Sequence, residues 1–274
     1  MPLAHVTVLC FACSYAAALA LETLQLLWPR RIQRLLGVVF GAAGLTAHVL
    51  FLLFHPPSLV SQQGSLLLLA LVLAVFYLYG AIHHRRLAWA IFVLPVVLAL
   101  IALAEMDNEH TTKSSWHSVV GALRGERFWG IVHGGLLLLA AVGVCVGFVA
   151  SVMYLLQASR LKAKALPRRG IRLLSLERLE QMNRRAINLA FPLLTAGVAV
   201  GAVLMVQRSD QLQGWSDPRI IGSAILWAVF AILVYLRYGN RLRGRRAALL
   251  TIVAFVLLMI TLTSTHTAVP GGGR

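Results

Sequence analysis

Along the chain the apolar residues fall in long unbroken blocks, and the polar residues collect in the stretches between them. Eight blocks stand out, near residues 3–28, 35–54, 65–83, 87–104, 129–157, 187–207, 219–238 and 247–264. A bilayer core is ~30 Å thick and a helix rises ~1.5 Å per residue, so about 20 apolar residues make one crossing. Strands of a membrane barrel alternate in and out and stop after ~10 residues. These blocks do neither. Lipid offers no partner for backbone N–H and C=O groups, so each block must close its hydrogen bonds within a helix. The pattern predicts an all-α integral membrane protein with eight transmembrane helices in a single polytopic membrane domain, 1–274.

Composition agrees. Of 274 residues, 59% are apolar and 12% charged, and mean hydropathy is +0.80. A soluble domain is nearer ~45–50% apolar and ~25% charged, so a water-soluble fold is excluded, as is disorder. The net charge of +16 would suit nucleic acid, but in a membrane chain Lys and Arg first report orientation. Alternate connections carry 19 of the 25: Arg30, Arg31 and Arg34; Arg85 and Arg86; nine between 158 and 186; and five from Arg237 to Arg246. That pattern predicts both termini outside the cytoplasm, and no nucleic-acid partner. Residues 1–4 lack the basic start of a secretory signal, so the first span is read as retained. In the basic cytoplasmic connection 158–186, Ser175 is placed to cap a helix, with Leu174 and Leu179 as its hydrophobic staple. Leu176, Leu179 and Met182 would then form the apolar face of an interfacial amphipathic helix. The alternative is a basic loop lying on anionic lipid.

Ionisable groups inside a bilayer need a reason, and histidine is the abundant one, with nine copies. His83 and His84 flank a cytoplasmic turn. His133 opens the fifth span and His266 closes the eighth, both at the same predicted depth on the extracytoplasmic side. Neutral imidazole is a ligand for haem iron and copper. The pair either ligates one iron from opposite faces or consists of ordinary interfacial histidines. Trp129 and Trp215 lie near the same boundary, as platform or aromatic-belt anchors. Arg124, Arg127 and Arg219 lie close in sequence to His133 and Trp215, and arginine suits the propionates of a haem through bidentate hydrogen bonds. The plainer role for these arginines is flanking helix ends. His48 falls well inside the second span, as a partner of another helix or a second metal ligand. Glu22 is read as snorkelling toward Arg30 or Arg31. Cys10 and Cys13 form a CxxC read as small packing residues embedded in lipid or protein, and with Cys145 they make no disulfide or zinc framework. Gly37 with Gly41, Gly143 with Gly147 and Gly197 with Gly201 are GxxxG pairs, which let helices approach closely. Walker loops, GxSxG, HExxH and paired catalytic carboxylates are missing, so the chain does not read as an enzyme.

From about residue 35 to the end the chain resembles the cytochrome c assembly family, the CcsA/CcmC-type haem-handling membrane proteins, and within it the HemX/YpjD-like branch. Three stretches carry the resemblance. Phe128-Trp129-Gly130-Ile131-Val132-His133 opens a long span ending Tyr154-Leu155-Leu156-Gln157, similar to the family helix that bears its first external haem histidine. Ser175-Leu176-Glu177-Arg178-Leu179 through Phe191-Pro192-Leu193-Leu194-Thr195-Ala196-Gly197 is similar to a second family segment. Gly244-Arg245-Arg246-Ala247-Ala248, a final span and His266 are similar to the closing helix and second external histidine. Of the family's Trp-rich external segment this chain keeps Trp215-Ser216-Asp217-Pro218-Arg219, with Gln207–Gln213 in place of the preceding tryptophans. The resemblance implies a bacterial inner-membrane protein that binds or presents a non-covalent b-type haem during c-type cytochrome assembly, alongside other maturation proteins. His133 and His266 would be the axial ligands, Trp215 and Asp217 the external platform, and Arg219 with Arg124 or Arg127 the propionate partners. The alternatives are a scaffold or regulator that keeps the family fold without haem and, ranked last, a small-molecule transporter with helices broken at Pro95 and Pro192.

Overall fold

The computed structural model describes residues 7–27, 31–55, 62–83, 89–106, 128–162, 174–207, 218–238 and 244–263. Among these residues all regular structure is helical: α1 (Val8–Leu27), α2 (Arg31–Phe54), α3 (Gln62–His83), α4 (Ala90–Met106), α5 (Phe128–Lys162), α6 (Leu176–Gln207), α7 (Pro218–Tyr238) and α8 (Arg245–Thr263). Six of them hold an apolar stretch long enough to cross a bilayer: Val8–Gln25, Ile32–Phe54, Gln63–His83, Phe128–Lys162, Leu176–Val206 and Arg245–Leu262. The apolar stretches of α4 and of α7 (Ile221–Leu236) are shorter. The protein is an all-helical membrane protein. The chain divides into two compact units, one of Met1–Val119 and Leu156–Leu176, the other of Val120–Leu155 and Glu177–Arg274.

In the first unit α1 packs on α2 and α4, and α3 packs on the same two helices. Each contact follows from side-chain spacing. Val8, Phe11, Tyr15 and Ala18 recur at helical intervals and form the buried stripe of α1. Glycines on α2 receive aromatic rings from its neighbours. A Cβ at Gly41 would lie 2.7 Å from the Tyr77 ring, and one at Gly44 would lie 2.9 Å from the Tyr15 ring. Gly80 on α3 does the same for Trp89, ahead of α4.

In the second unit α5 and α6 run antiparallel, and their small residues interlock along the whole contact. Toward one end α5 supplies the glycines. A Cβ at Gly143 would sit 2.9 Å from Ala190 Cβ, and one at Gly147 would meet Thr251 and Ala186. Toward the other end α6 supplies them. Gly197 faces Leu137 and Gly201 faces His133. The two GxxxG pairs therefore belong to one interface. Trp227 on α7 donates its indole N–H to Thr195 Oγ1 on α6 (3.0 Å), Thr261 on α8 packs against Gly222 on α7, and Phe148 stacks on Phe255. Asn183 joins three helices. Its amide nitrogen lies 3.0 Å from the Gly147 carbonyl, 2.6 Å from Ser151 Oγ and 3.1 Å from Thr251 Oγ1. Those hydroxyls donate to their own helices, at Gly147 O and Ala247 O, and turn a lone pair to the amide.

The helices outrun the apolar blocks that announce them. The connection 158–186 contains no separate helix among its described residues: 158–162 continue α5, and α6 runs unbroken from Leu176 past Pro192 to Gln207. Leu179 is fully buried, in one stripe with Asn183, Ala186, Ile187, Ala190 and Leu194. The apolar face predicted there is thus turned to neighbouring helices. Exposed Arg178, Arg184 and Arg185 carry the polar side.

Candidate functional site

His133 lies between the first and second turns of α5, whose opening residues Phe128 and Trp129 are exposed and pack edge to face. Its half-buried ring is seated against α6. A Cβ at Gly201 would approach His133 Cε1 to 2.6 Å and Nδ1 to 3.0 Å, so only glycine leaves room for the imidazole. Nδ1 lies 2.7 Å from the carbonyl oxygen of Gly197, one turn away on the same helix. A carbonyl oxygen only accepts, so Nδ1 carries the proton and donates it. With Nδ1 as the donor, the neutral form of the ring carries its lone pair on Nε2, directed away from that hydrogen bond. This is the arrangement by which proteins orient a metal-ligating histidine: one ring nitrogen anchored to a backbone carbonyl, the other left for the metal. A Cβ at Gly130 or at Gly135 would meet no heavy atom of the described residues within 4 Å.

The other residues predicted for this site divide into two sets. His266, Trp215, Asp217, Arg124 and Arg127 lie outside the described residues. Arg219 falls in the first turn of α7, with its side chain outside the described residues. Among the described residues no group of three or more His, Cys, Asp or Glu is arranged to hold a metal.

His48 belongs to the first unit and is fully buried there. Phe11 of α1 stacks flat on its ring, with centroids 4.2 Å apart and planes within 2°. Tyr15 presents its hydroxyl 3.5 Å from Nδ1. Nε2 is buried and makes no hydrogen bond among the described residues. A buried polar atom left without a partner costs about 1–3 kcal/mol, so the position is held against its own desolvation.

The side chains of Arg30 and Arg31, toward which Glu22 is read as snorkelling, lie outside the described residues. Cys10 and Cys13 lie on the side of α1 away from Phe11 and Tyr15, uncovered by the described residues, and Cys145 is buried. Glu22 turns toward α2, where its Oε1 lies 3.4 Å from the Cβ position of Gly37. Tyr77 donates its hydroxyl to the Gly37 carbonyl at 3.4 Å, so these side chains share the groove that Gly37 and Gly41 open. The seat of His133 was not foreseen: Gly197-xxx-Gly201 reads as a packing motif, and only the register of α5 against α6 turns it into a histidine clamp.

The match to known proteins covers α3 through α8 and leaves out α1 and α2. Residues 59–267 match the model of the family described as Cytochrome C assembly protein. Among curated proteins, the chain is 26% identical to the cytochrome c biogenesis protein CcsA of Gloeobacter violaceus, over 69% of this chain and 69% of that one. It is 26% identical to CcsA of Parasynechococcus marenigrum over 61% and 60% respectively, and 29% identical to CcsA of Spinacia oleracea over 41% and 36%. The chain thus spans less than two thirds of the second and third of these relatives. No solved structure matches. With 59–267 covered, the chain belongs to the cytochrome c assembly protein family.

Proposed function

We propose that the protein serves c-type cytochrome assembly by binding haem, or holding it for transfer, at the extracytoplasmic face of a bacterial inner membrane. The observation that carries this reading is the anchored imidazole: Nδ1 of His133 bound to Gly197 O at 2.7 Å over the Gly201 seat. The family and its CcsA relatives supply the context. In the proposal the chain crosses the membrane eight times with both termini outside the cytoplasm, as the basic connections require. His133 and His266 hold the iron, Trp215 and Asp217 shape the outer platform, and Arg219 with Arg124 or Arg127 takes the propionates. Haem supplies the redox-active iron and the group to be delivered. The protein orients the ring through Nδ1 and leaves space over Gly130. His48 is a second ligand position, supported by its buried, unpartnered Nε2. Partners are other membrane proteins of cytochrome maturation.

The test is haem content and absorbance of the purified protein. Wild-type protein carries a low-spin haem spectrum. His133→Ala and His266→Ala each abolish it, and His48→Phe lowers haem per protein without moving the His133-dependent bands. Haem content unchanged in all three variants would remove these ligand assignments, and a wild-type protein that takes up no haem would leave the family fold acting as a haem-free scaffold.

A further inference from the structure

We propose that Glu22 is a proton-binding site: a carboxyl set within the apolar interior of the first unit that takes up and releases one proton, with Gln33, Arg34 and Tyr77 as its partners. The site lies where α1 ends and α2 begins. Gly37 makes its floor. A Cβ at Gly37 would meet Oε1 of Glu22 at 3.4 Å, Cγ at 3.5 Å and Cδ at 3.7 Å. The carboxyl therefore lies along α2 at the level of Gly37 and does not reach for the helix end. Gly37 follows Ile32, the first residue of the apolar stretch Ile32–Phe54, by five residues, which is about 7.5 Å of helix. A charged carboxylate at that depth is strongly disfavoured and a neutral acid much less so.

The groups around the carboxyl fit both of its states. Gln33 and Arg34 come one turn before Gly37 on α2 and flank it. Gln33 Oε1 is buried and has no hydrogen-bond partner among the described residues. The O–H of a protonated Glu22 is a donor of the kind that this acceptor lacks. Arg34 donates to the carbonyl of Ala81, near the end of α3, at 3.3 Å and keeps further N–H groups. Tyr77 of α3 crosses Gly41, where a Cβ would stand 2.8 Å from its hydroxyl oxygen, and donates to Gly37 O at 3.4 Å. Arg34 and Tyr77 both lie within electrostatic reach of the carboxyl. When the proton leaves for water at the helix ends, the guanidinium and the phenol O–H meet the carboxylate. The other titratable groups stand apart. Tyr79 and His83 stack on each other at the exposed end of α3, His48 and His55 of α2 are at least three turns from Gly37, and α4 carries Glu105 at its far end. Among the described residues no group of three or more His, Cys, Asp or Glu surrounds the carboxyl to hold a metal. The site is built on α1 and α2, which the family match leaves out, so it stands or falls apart from the haem reading.

The probe is N,N′-dicyclohexylcarbodiimide, which adds to a protonated carboxyl in apolar surroundings and leaves a stable acylurea. Full-length protein in lipid nanodiscs is treated across a pH series, and the label is located by peptide mass spectrometry. The wild type is labelled at Glu22, and the label is lost with rising pH along a one-proton curve. Glu22→Gln, which keeps the shape of the neutral acid, loses the label and stays folded. Arg34→Gln and Tyr77→Phe remove groups that meet the carboxylate, so labelling persists to higher pH in both. Gln33→Leu removes the acceptor for the neutral acid and moves the curve to lower pH. Glu22 unlabelled at every pH, or labelled equally at every pH, overturns the proposal. Protection by sodium ions at fixed pH also overturns it, since a metal cation would then hold the carboxylate. A curve that none of the three partner variants moves overturns the assigned partners.

Discussion

Replacing Gly201 with alanine adds one methyl group at the point where the His133 ring rests. The new Cβ would stand 2.6 Å from Cε1 and 3.0 Å from Nδ1, closer than van der Waals contact permits. The neighbour that must yield is a ring with its other edge tied to Gly197 O at 2.7 Å. Relief therefore means either parting α5 from α6 or swinging the ring and breaking that bond. Overpacking of this kind costs about 1–3 kcal/mol, and the hydrogen bond contributes about 1 kcal/mol. Removing a helical glycine returns about 0.5–1 kcal/mol, leaving a net loss of about 1–3 kcal/mol. Gly130→Ala is the matched control, since its Cβ meets nothing within 4 Å and only the propensity gain remains. Thermal unfolding of both variants in detergent should show Gly201→Ala below the wild type and Gly130→Ala at or slightly above it. Haem content should fall in the first and hold in the second. Equal melting temperatures and equal haem content in the two variants would refute the clamp.

Three further perturbations have defined outcomes. Asn183→Leu removes the donor that meets Gly147, Ser151 and Thr251. Because both hydroxyls stay bonded within their own helices, the expected loss is about 1–2 kcal/mol, read by chemical unfolding in mixed micelles. Gly244→Ala forces a side chain onto φ 63° and toward the Tyr154 hydroxyl, and Glu180 accepts the N–H of the same residue at 3.4 Å. A loss of about 1–2 kcal/mol is expected there, while Gly135→Ala keeps only the gain of about 0.5–1 kcal/mol for replacing a helical glycine. His48→Phe keeps the stack on Phe11 and removes the unpartnered Nε2, so the haem-free protein should gain about 1 kcal/mol. A destabilised His48→Phe would show that the imidazole is satisfied.

The helices were legible because lipid imposes the same demand on every crossing: an apolar surface outside, and backbone hydrogen bonds closed inside. Their ends were less so. Arg31 opens α2 and Arg160 and Lys162 extend α5, since long basic side chains carry a helix past the apolar slab. The same effect hid the continuity of α6, where the polar run from Glu177 to Asn188 reads as a connection, although Leu179, Asn183, Ala186 and Ile187 are its buried stripe. At the candidate site the histidine was visible and its chemistry was not. The tautomer of His133 depends on a carbonyl 64 residues away, which no local pattern encodes.

The central claim is that His133 gives its Nε2 to haem iron. Low-temperature electron paramagnetic resonance of the oxidised, haem-loaded protein tests it most directly. The account predicts a low-spin ferric signal of two imidazole ligands in the wild type, converted to a high-spin signal, or lost with the haem, in His133→Ala. The same low-spin signal at the same intensity in a folded His133→Ala protein would contradict it.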